Sequence, residues 1–412
     1  MDNVTHTLAG LLLADSTVRL RARWEGVGPS ARFRTVAAIS SIVAANLPDA
    51  DLLYTGGGAD RLRYMLQHRG YTHTIVMAVV GAALVWGLSM FLWRWRARQS
   101  FSRHDASWLL GLLLVSTLSH ILLDWTNSYG VHPFWPVDNR WRYGDAVFII
   151  EPWLWVVSIP TLVAASTRRV VQTVLSVMLL AVLALAWRVD LVSGGAATAL
   201  TLGALVFIAL VRFLGAEARA IAAVGGWIAV TLLMAAAMHA ARRIALHSAH
   251  GADPTAEMLD VVVSALPANP VCAEVITVER VGAMYRAATA RVSIVPTVVP
   301  AAQCATRQVT GSLITSSRRG STPAVHWDGE WSAPSAELAA LARHSCLALA
   351  AMRFIRVPIW RAVADSAVLI GDIRYGGGAG NGFTDVRVPR LTSSCPGWIP
   401  PWTPPRVDLL GP

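Results

Sequence analysis

Hydrophobic positions follow two regimes along this chain. Up to about residue 241 they form long, nearly unbroken apolar runs. Six of these, at approximately 74–93, 107–125, 147–165, 170–187, 197–214 and 221–241, approach the roughly 20 residues that a bilayer-crossing helix needs. Two shorter runs come first, at 4–18 and 33–48. At about 1.5 Å per residue these reach only ~22–24 Å, short of a ~30 Å hydrocarbon core, and read as tilted half-spans or helices packed at one membrane face. From about residue 250 the pattern shortens. Pro267, Pro270, Pro296 and Pro300 punctuate β-rich runs such as Glu274–Val281 and Tyr285–Ile294. A helical stretch around Ala336–Ala351 follows, then strand-like runs at 353–359 and 367–375. The glycine-rich segment 376–380 lacks the strand-to-helix context of a phosphate cradle and reads as a hairpin connection. The pattern predicts an α-helical polytopic membrane domain over 1–244, followed by an extracytoplasmic soluble α+β domain over 245–412.

Composition agrees with a membrane protein: 54% of the 412 residues are hydrophobic and only 15% are charged. The start, Met1-Asp2-Asn3-Val4-Thr5-His6, has no basic region and no small-residue cleavage pattern behind it, so the first apolar segments are expected to stay in the mature protein. The net charge of +10 comes entirely from arginine. Residues 1–244 hold 21 Arg against 13 acids and the remainder 14 against 12, so the excess lies in the membrane half. No basic stripe on a soluble face suggests nucleic acid.

Arginine placement instead predicts topology. One set of alternate loops carries 13 arginines, among them Arg19, Arg21, Arg23, Arg32, Arg34, Arg94, Arg96 and Arg98; the other set carries eight over longer loops. The richer set is assigned to the cytoplasm of a bacterial inner membrane. This sends residues 245–412 outside. All four cysteines, Cys272, Cys304, Cys346 and Cys395, lie there without a C-x-x-C pair. They read as two disulfides or as four unrelated buried thiols.

With that orientation, most of the ionisable residues beside the spans collect at the external face. His6 begins a segment there; Asp49 and Asp51 end one after Pro48. His68 and His73, flanking Arg69 and Gly70, precede the 74–93 run. His120 and Asp124, four apart and therefore on one helix face, end the next. Glu151 starts the third, and His132 is a weaker candidate. Each alone has an ordinary reading, as a cap, an interfacial residue or a turn. Together, imidazoles and carboxylates beside a bilayer mark a functional site and suit Zn²⁺, with Mn²⁺ or Fe as alternatives, in one to three ions. Arg69 reads as a clamp on a substrate phosphate or as a headgroup anchor. A Ser-His-Asp triad fits poorly, since no Gly-x-Ser-x-Gly elbow occurs.

The ordered set Met1-Asp2-x-x-Thr5-His6, Asn46-x-Pro48-Asp49-x-Asp51, His68-Arg69-Gly70-x-Thr72-His73 and His120-x-x-x-Asp124-x-x-x-x-Tyr129-Gly130 resembles the YdjM-like, LexA-regulated, membrane-bound, predicted metal-dependent hydrolases over roughly residues 1–155. Where Glu151-Pro152 stands, the family pattern carries Asp-Pro. The His-x-x-x-Asp element is more remotely similar to the zinc-dependent phospholipase C and nuclease group, which implies phosphoester substrates. The expected function is thus a membrane metallohydrolase in which His6, Asp49, Asp51, His68, His73, His120, Asp124 and Glu151 hold metal. Asp49 or Asp51 serves as general base, Arg69 assists, and activated water attacks a lipid-like substrate at the external face. The rivals are a non-enzymatic scaffold or envelope-stress protein with a structural metal, and a transporter. The latter is disfavoured by runs 170–187 and 197–211, which contain no charge.

Overall fold

The computed structural model describes the chain except residues 56–59, 99–100, 307–312, 377, 379, 393 and 412. Its first part is helical: α1 (Asn3–Glu25), α2 (Ala31–Asn46) continued by a 3₁₀ turn (Leu47–Leu53), α3 (Arg61–Gln67), α4 (Ile75–Ala97), α5 (Arg103–Trp125), α6 (Pro152–Ala165), α7 (Arg169–Ala186), α8 (Gly194–Phe213) and α9 (Ala216–Ala252). Among the described residues, six helical segments are long and apolar enough to cross a membrane: 31–53, 75–96, 103–125, 169–186, 194–213 and 216–252.

Three helices differ from their apolar runs, each for a local reason. α1 continues well past residue 18 because Arg19 pairs with Asp15, while Arg21 pairs with Glu25 and with Asp105 of α5. Gly26, at φ 68°, then ends it. The second run gains length because the Pro48 turn stays helical through Leu53. The third expected span shrinks to 14 residues, because Glu151 caps α6 by accepting from the Trp153 N–H, with Pro152 at the first helical position.

Close approach of α1, α2 and α5 sets the frame of the site. A Cβ at Gly10 would sit 2.9 Å from the Ser41 carbonyl oxygen, so only glycine lets α1 lie this near α2. The Ser41 hydroxyl bridges the contact, 2.7 Å from the Gly10 carbonyl oxygen and 2.8 Å from the Ser116 hydroxyl of α5.

At 37 residues, α9 is about 55 Å long, well beyond a ~30 Å hydrocarbon core. Its far end carries the β-rich C-terminal region. Strands β1 (Glu257–Leu266), β2 (Asn269–Val281), β3 (Met284–Ser293), β4 (Thr315–Ser316) and β5 (Val325–Pro334) form an antiparallel sheet in the order β1-β2-β3-β5-β4. Strand alternation divides its faces. Val261, Val263, Ala273, Val275, Ala288 and Ala290 pack on an alanine stripe of α9, Ala237, Ala241, Ala245 and Ala249. Val262, Ile276, Val278, Tyr285 and Ala287 face the opposite core. That core also holds α10 (Ser335–His344), α11 (Cys346–Met352) and the sheet β6 (Pro358–Ala364), β7 (Ala367–Asp372), β8 (Val386–Pro389). The single helix expected near 336–351 is therefore two, broken at Ser345, whose side chain caps the second. The glycine segment lies between β7 and β8, with Gly377 and Ala379 outside the described residues. Cysteines pair as Cys272–Cys304 and Cys346–Cys395.

Leu62, Met65 and Leu66 of α3, with Tyr129 and Trp141, belong to the same apolar core as the C-terminal helices. The C-terminal region thus lies directly on the turn that follows α3.

Candidate metal centre

Four elements deliver the polar residues to one buried point. His6 lies in the first turns of α1, whose N-cap Asp2 accepts from the backbone N–H groups of Val4 and Thr5. Pro48 starts the 3₁₀ turn that presents Asp49 and Asp51. His68 ends α3, and Arg69 follows at φ 60°, a left-handed conformation unusual for a residue with a side chain. The strain is held by the site itself, since the Arg69 N–H donates to Asp51 Oδ2 at 3.0 Å. His73 closes the turn. His120 and Asp124 project from one face of α5.

Asp49, His73, His120 and Asp124, all buried, bring one ligand atom each within 4.8 Å of the others. The Nε2 atoms of His73 and His120 are 3.0 Å apart. His73 Nε2 is 3.3 Å from Asp49 Oδ1 and 3.1 Å from Asp124 Oδ2; His120 Nε2 is 3.6 Å and 3.4 Å from the same two atoms. Protons on these rings are committed elsewhere. His120 Nδ1 donates to the Ala45 carbonyl at 2.6 Å. His73 Nδ1 is 3.0 Å from the Thr72 hydroxyl, which gives its own proton to Asp51 Oδ2 at 2.8 Å and so accepts from the ring. In neutral imidazoles both Nε2 atoms are then bare lone pairs. Asp49 Oδ1 and Asp124 Oδ2 likewise have no hydrogen-bond donor. Two nitrogen and two carboxylate lone pairs facing one another repel, and each unsatisfied buried group costs about 1–3 kcal/mol. A cation at their centre removes the conflict. This group can therefore hold a divalent metal ion, and its donor atoms are those zinc accepts.

A second group, Asp49, Asp51 and His68, shares Asp49 with the first. It makes a weaker demand, because His68 Nδ1 already lies 2.9 Å from Asp51 Oδ1. Burial lowers the His68 pKa below the usual imidazole range, with Asp51 offsetting part of the effect. Asp51 also lies 3.4 Å from His73 Nδ1. It accepts from or faces four donors in all, the carboxylate-to-histidine support that orients metal ligands. His6 stacks on His120, ring centroids 3.7 Å apart, with Nε2 3.4 Å from Asp124 Oδ1. The Met1 amine and Arg69 Nη2, the latter at 3.0 Å, meet that same oxygen, leaving Oδ2 for the histidines.

Arg69 is only 2% exposed. Its side chain also binds Asn127 Oδ1 at 3.0 Å and lies over the Tyr129 ring at 4.8 Å. Such burial favours the internal role over the headgroup anchor. Sequence reasoning missed the roof above this turn. Trp402 packs 3.1 Å from where a Gly70 Cβ would lie, and its indole N–H donates to the Leu66 carbonyl at 2.7 Å. Gln67 Nε2 donates to the Trp398 carbonyl at 2.8 Å. His132 is sandwiched by Trp141 and Trp402, and burial pushes its pKa down to about 3. It also contacts the turn, with Nδ1 3.4 Å from the Arg69 carbonyl.

Glu151, expected among the ligands, is brought into neither group. Its oxygens accept from the backbone N–H groups of Trp153 at 3.2 Å and Ala268 at 3.3 Å. It joins α6 to the β1–β2 turn. Proximity to a span end carried no information about which way this side chain pointed.

The family described as YdjM inner membrane protein matches residues 1–191. The match covers the N-terminal part of the chain, a little under half of its 412 residues. All the clustered ligands fall within it, and with the six apolar helices it makes the chain a multi-pass membrane protein. No curated protein and no solved structure matches the chain.

Proposed function

We propose that the chain is a metal-dependent hydrolase of the bacterial inner membrane, acting on a phosphoester or similar bond of a lipid-like substrate at the extracytoplasmic face. The observation that carries this reading is the convergence of His73, His120, Asp49 and Asp124 on one point, with the Nδ1 atom of each histidine placed to keep its ring proton away from it. Neutral imidazoles with carboxylates favour zinc, with manganese or iron as alternatives. A bound divalent ion would supply Lewis-acid activation of water and of the scissile group.

The residues divide the remaining work. His73, His120, Asp49 and Asp124 hold the first ion; Asp49, Asp51 and His68 are placed for a second. Asp51 fixes the orientation of His68 and His73 and the backbone of Arg69. Of the two aspartates, Asp49 is the better placed to accept a proton where it serves as base instead of ligand, because the oxygens of Asp51 are committed to these partners and to Thr72. Arginine enrichment in the opposite loops and the two disulfides support the external placement of the site and of residues 245–412.

Burial of every ligand favours one alternative, a structural metal in a scaffold protein. Elemental mass spectrometry of detergent-purified protein, wild type beside His120→Ala/Asp124→Ala, tests the centre. Stoichiometric metal that the double variant lacks is expected; full retention by the variant refutes the assignment. Metal-dependent release of phosphate from phospholipid or phosphoester substrates separates hydrolase from scaffold.

A further inference from the structure

Unpaired buried atoms surround the centre. On the metal side they are the acceptors Asp49 Oδ1 and Asp124 Oδ2 and both ring nitrogens of His6, which stacks on His120. Beside them lie three groups able to donate: Arg69 Nε, Asn127 Nδ2 and the Tyr129 hydroxyl. Their residues are 2%, 3% and 7% exposed. These three residues form one connected unit. Asn127 Oδ1 accepts from Arg69 Nη1 at 3.0 Å and from the Tyr129 backbone N–H at 2.9 Å, and the Arg69 guanidinium covers the Tyr129 ring. Both partners of Asn127 Oδ1 are donors, so a flipped amide would set donor against donor. The free end of this amide is therefore its NH₂.

The unit is tied to the centre on two sides. Arg69 reaches Asp124 and Asp51, and the Tyr129 ring lies against His68, centroids 5.6 Å apart. Tyr375 and Phe383 of the C-terminal region stand against the same Tyr129 ring. Burying three donors without acceptors costs about 1–3 kcal/mol each, so the complement of this unit is a group rich in acceptor oxygens. A phosphoryl group offers three such oxygens and negative charge for Arg69. A planar carboxylate offers two.

We infer that Arg69, Asn127 and Tyr129 form an oxyanion subsite that takes the phosphoryl oxygens of the substrate beside the metal centre. The inference rests on the hydrolase reading for its substrate but not for its chemistry, since the donors bind anion with or without turnover.

The test is binding of inorganic phosphate, by calorimetry, to full-length protein in detergent, with acetate as the planar control and metal content measured in parallel. Two variants outside the metal ligands are compared with wild type. Tyr129→Phe removes one hydroxyl at constant shape; Asn127→Asp keeps the acceptor oxygen and replaces the free donor with a carboxylate. Phosphate should bind wild type more tightly than acetate. Affinity should fall roughly 10-fold in Tyr129→Phe and by more in Asn127→Asp, as the loss of a hydrogen bond to a charged group implies, with metal content unchanged. Equal phosphate affinity in all three proteins, no phosphate binding by wild type, or acetate bound as tightly as phosphate overturns the subsite. Phosphate binding that weakens in the variants while wild type holds no metal sustains the subsite and refutes the metallohydrolase instead.

Discussion

Trp402 lies more than 300 residues from the turn it covers, and truncating it to alanine tests how far the C-terminal region holds the metal centre. The side chain is 1% exposed. It stacks on His132 with centroids 3.9 Å apart, lies 4.8 Å from the Tyr71 ring, and donates to the Leu66 carbonyl at 2.7 Å. A buried aromatic removes about 150–250 Å² from water, worth roughly 4–6 kcal/mol at ~25 cal/mol per Å², and measured Trp→Ala costs in cores run to about 3–5 kcal/mol. The lost hydrogen bond adds about 1 kcal/mol. If about 3 kcal/mol of this falls on the turn, local opening becomes roughly 100-fold more frequent. The amides of His68, Gly70 and His73, bonded at 2.9, 3.1 and 3.2 Å to the carbonyls of Tyr64, Gln67 and Gly70, are the reporters. Hydrogen exchange followed by mass spectrometry should show them accelerated by about that factor in Trp402→Ala. Metal affinity should fall with them. Trp402→Phe keeps a ring but loses the N–H donor and should lie between. Unchanged exchange at 66–73 in Trp402→Ala would refute the argument.

Other substitutions probe single links of the same chain of reasoning. Gly70→Ala places a Cβ 2.9 Å from the Gln67 carbonyl oxygen and 3.1 Å from Trp402, an overpacking of about 1–3 kcal/mol that should lower both the thermal midpoint and metal content. Asp51→Asn keeps the shape but removes the acceptor charge that orients two histidines and sets an amide N–H against donors; metal affinity measured by chelator competition should fall about 10–100-fold and the thermal midpoint should fall with it. Away from the site, burial would raise the Glu279 pKa, yet Arg319 and Arg286 hold it below the usual carboxylate range. Its contribution is complete above the unfolded-state value and is lost as pH falls through the lower folded value, so thermal melts should show Glu279→Gln destabilised near neutrality and less acid-sensitive than wild type. Reducing Cys272–Cys304, which closes a separation of 32 residues, should cost about 2–4 kcal/mol of C-terminal stability and leave metal content unchanged.

What could be read from the sequence follows the range of the interactions involved. The pair His120 and Asp124 was legible because helix geometry alone puts residues four apart on one face. Long apolar runs located five of the helical segments that can span, and Pro48 marked the turn that presents Asp49 and Asp51. Two helix lengths were missed because side chains decided them: Arg19 and Arg21 extend α1 through ion pairs, and the Glu151 cap delays α6. Glu151 itself could not be placed. Its partner is the Ala268 N–H, 117 residues away on a turn at positive φ, and no local pattern announces such a contact. The tautomers of His73 and His120, which decide whether lone pairs converge, depend on Thr72, Asp51 and the Ala45 carbonyl and required the assembled fold.

The family match ends at residue 191, yet the electrostatics of the centre depend on residues far beyond it. Arg69 and three aspartates would interact weakly in water, where two unit charges 4 Å apart gain only about 1 kcal/mol, and several-fold more where water is excluded. Exclusion here is the work of Trp402 over Gly70, of Phe354 against Tyr129, and of Arg374, whose side chain donates to the Ser128 carbonyl at 2.5 Å. All three residues belong to the C-terminal region. The membrane helices bring the ligands together, and the C-terminal region removes the water that would otherwise screen them. A centre assembled this way gains charge–charge coupling and ligand orientation from the same contacts. Loosening the roof should therefore weaken metal affinity even where every ligand is intact.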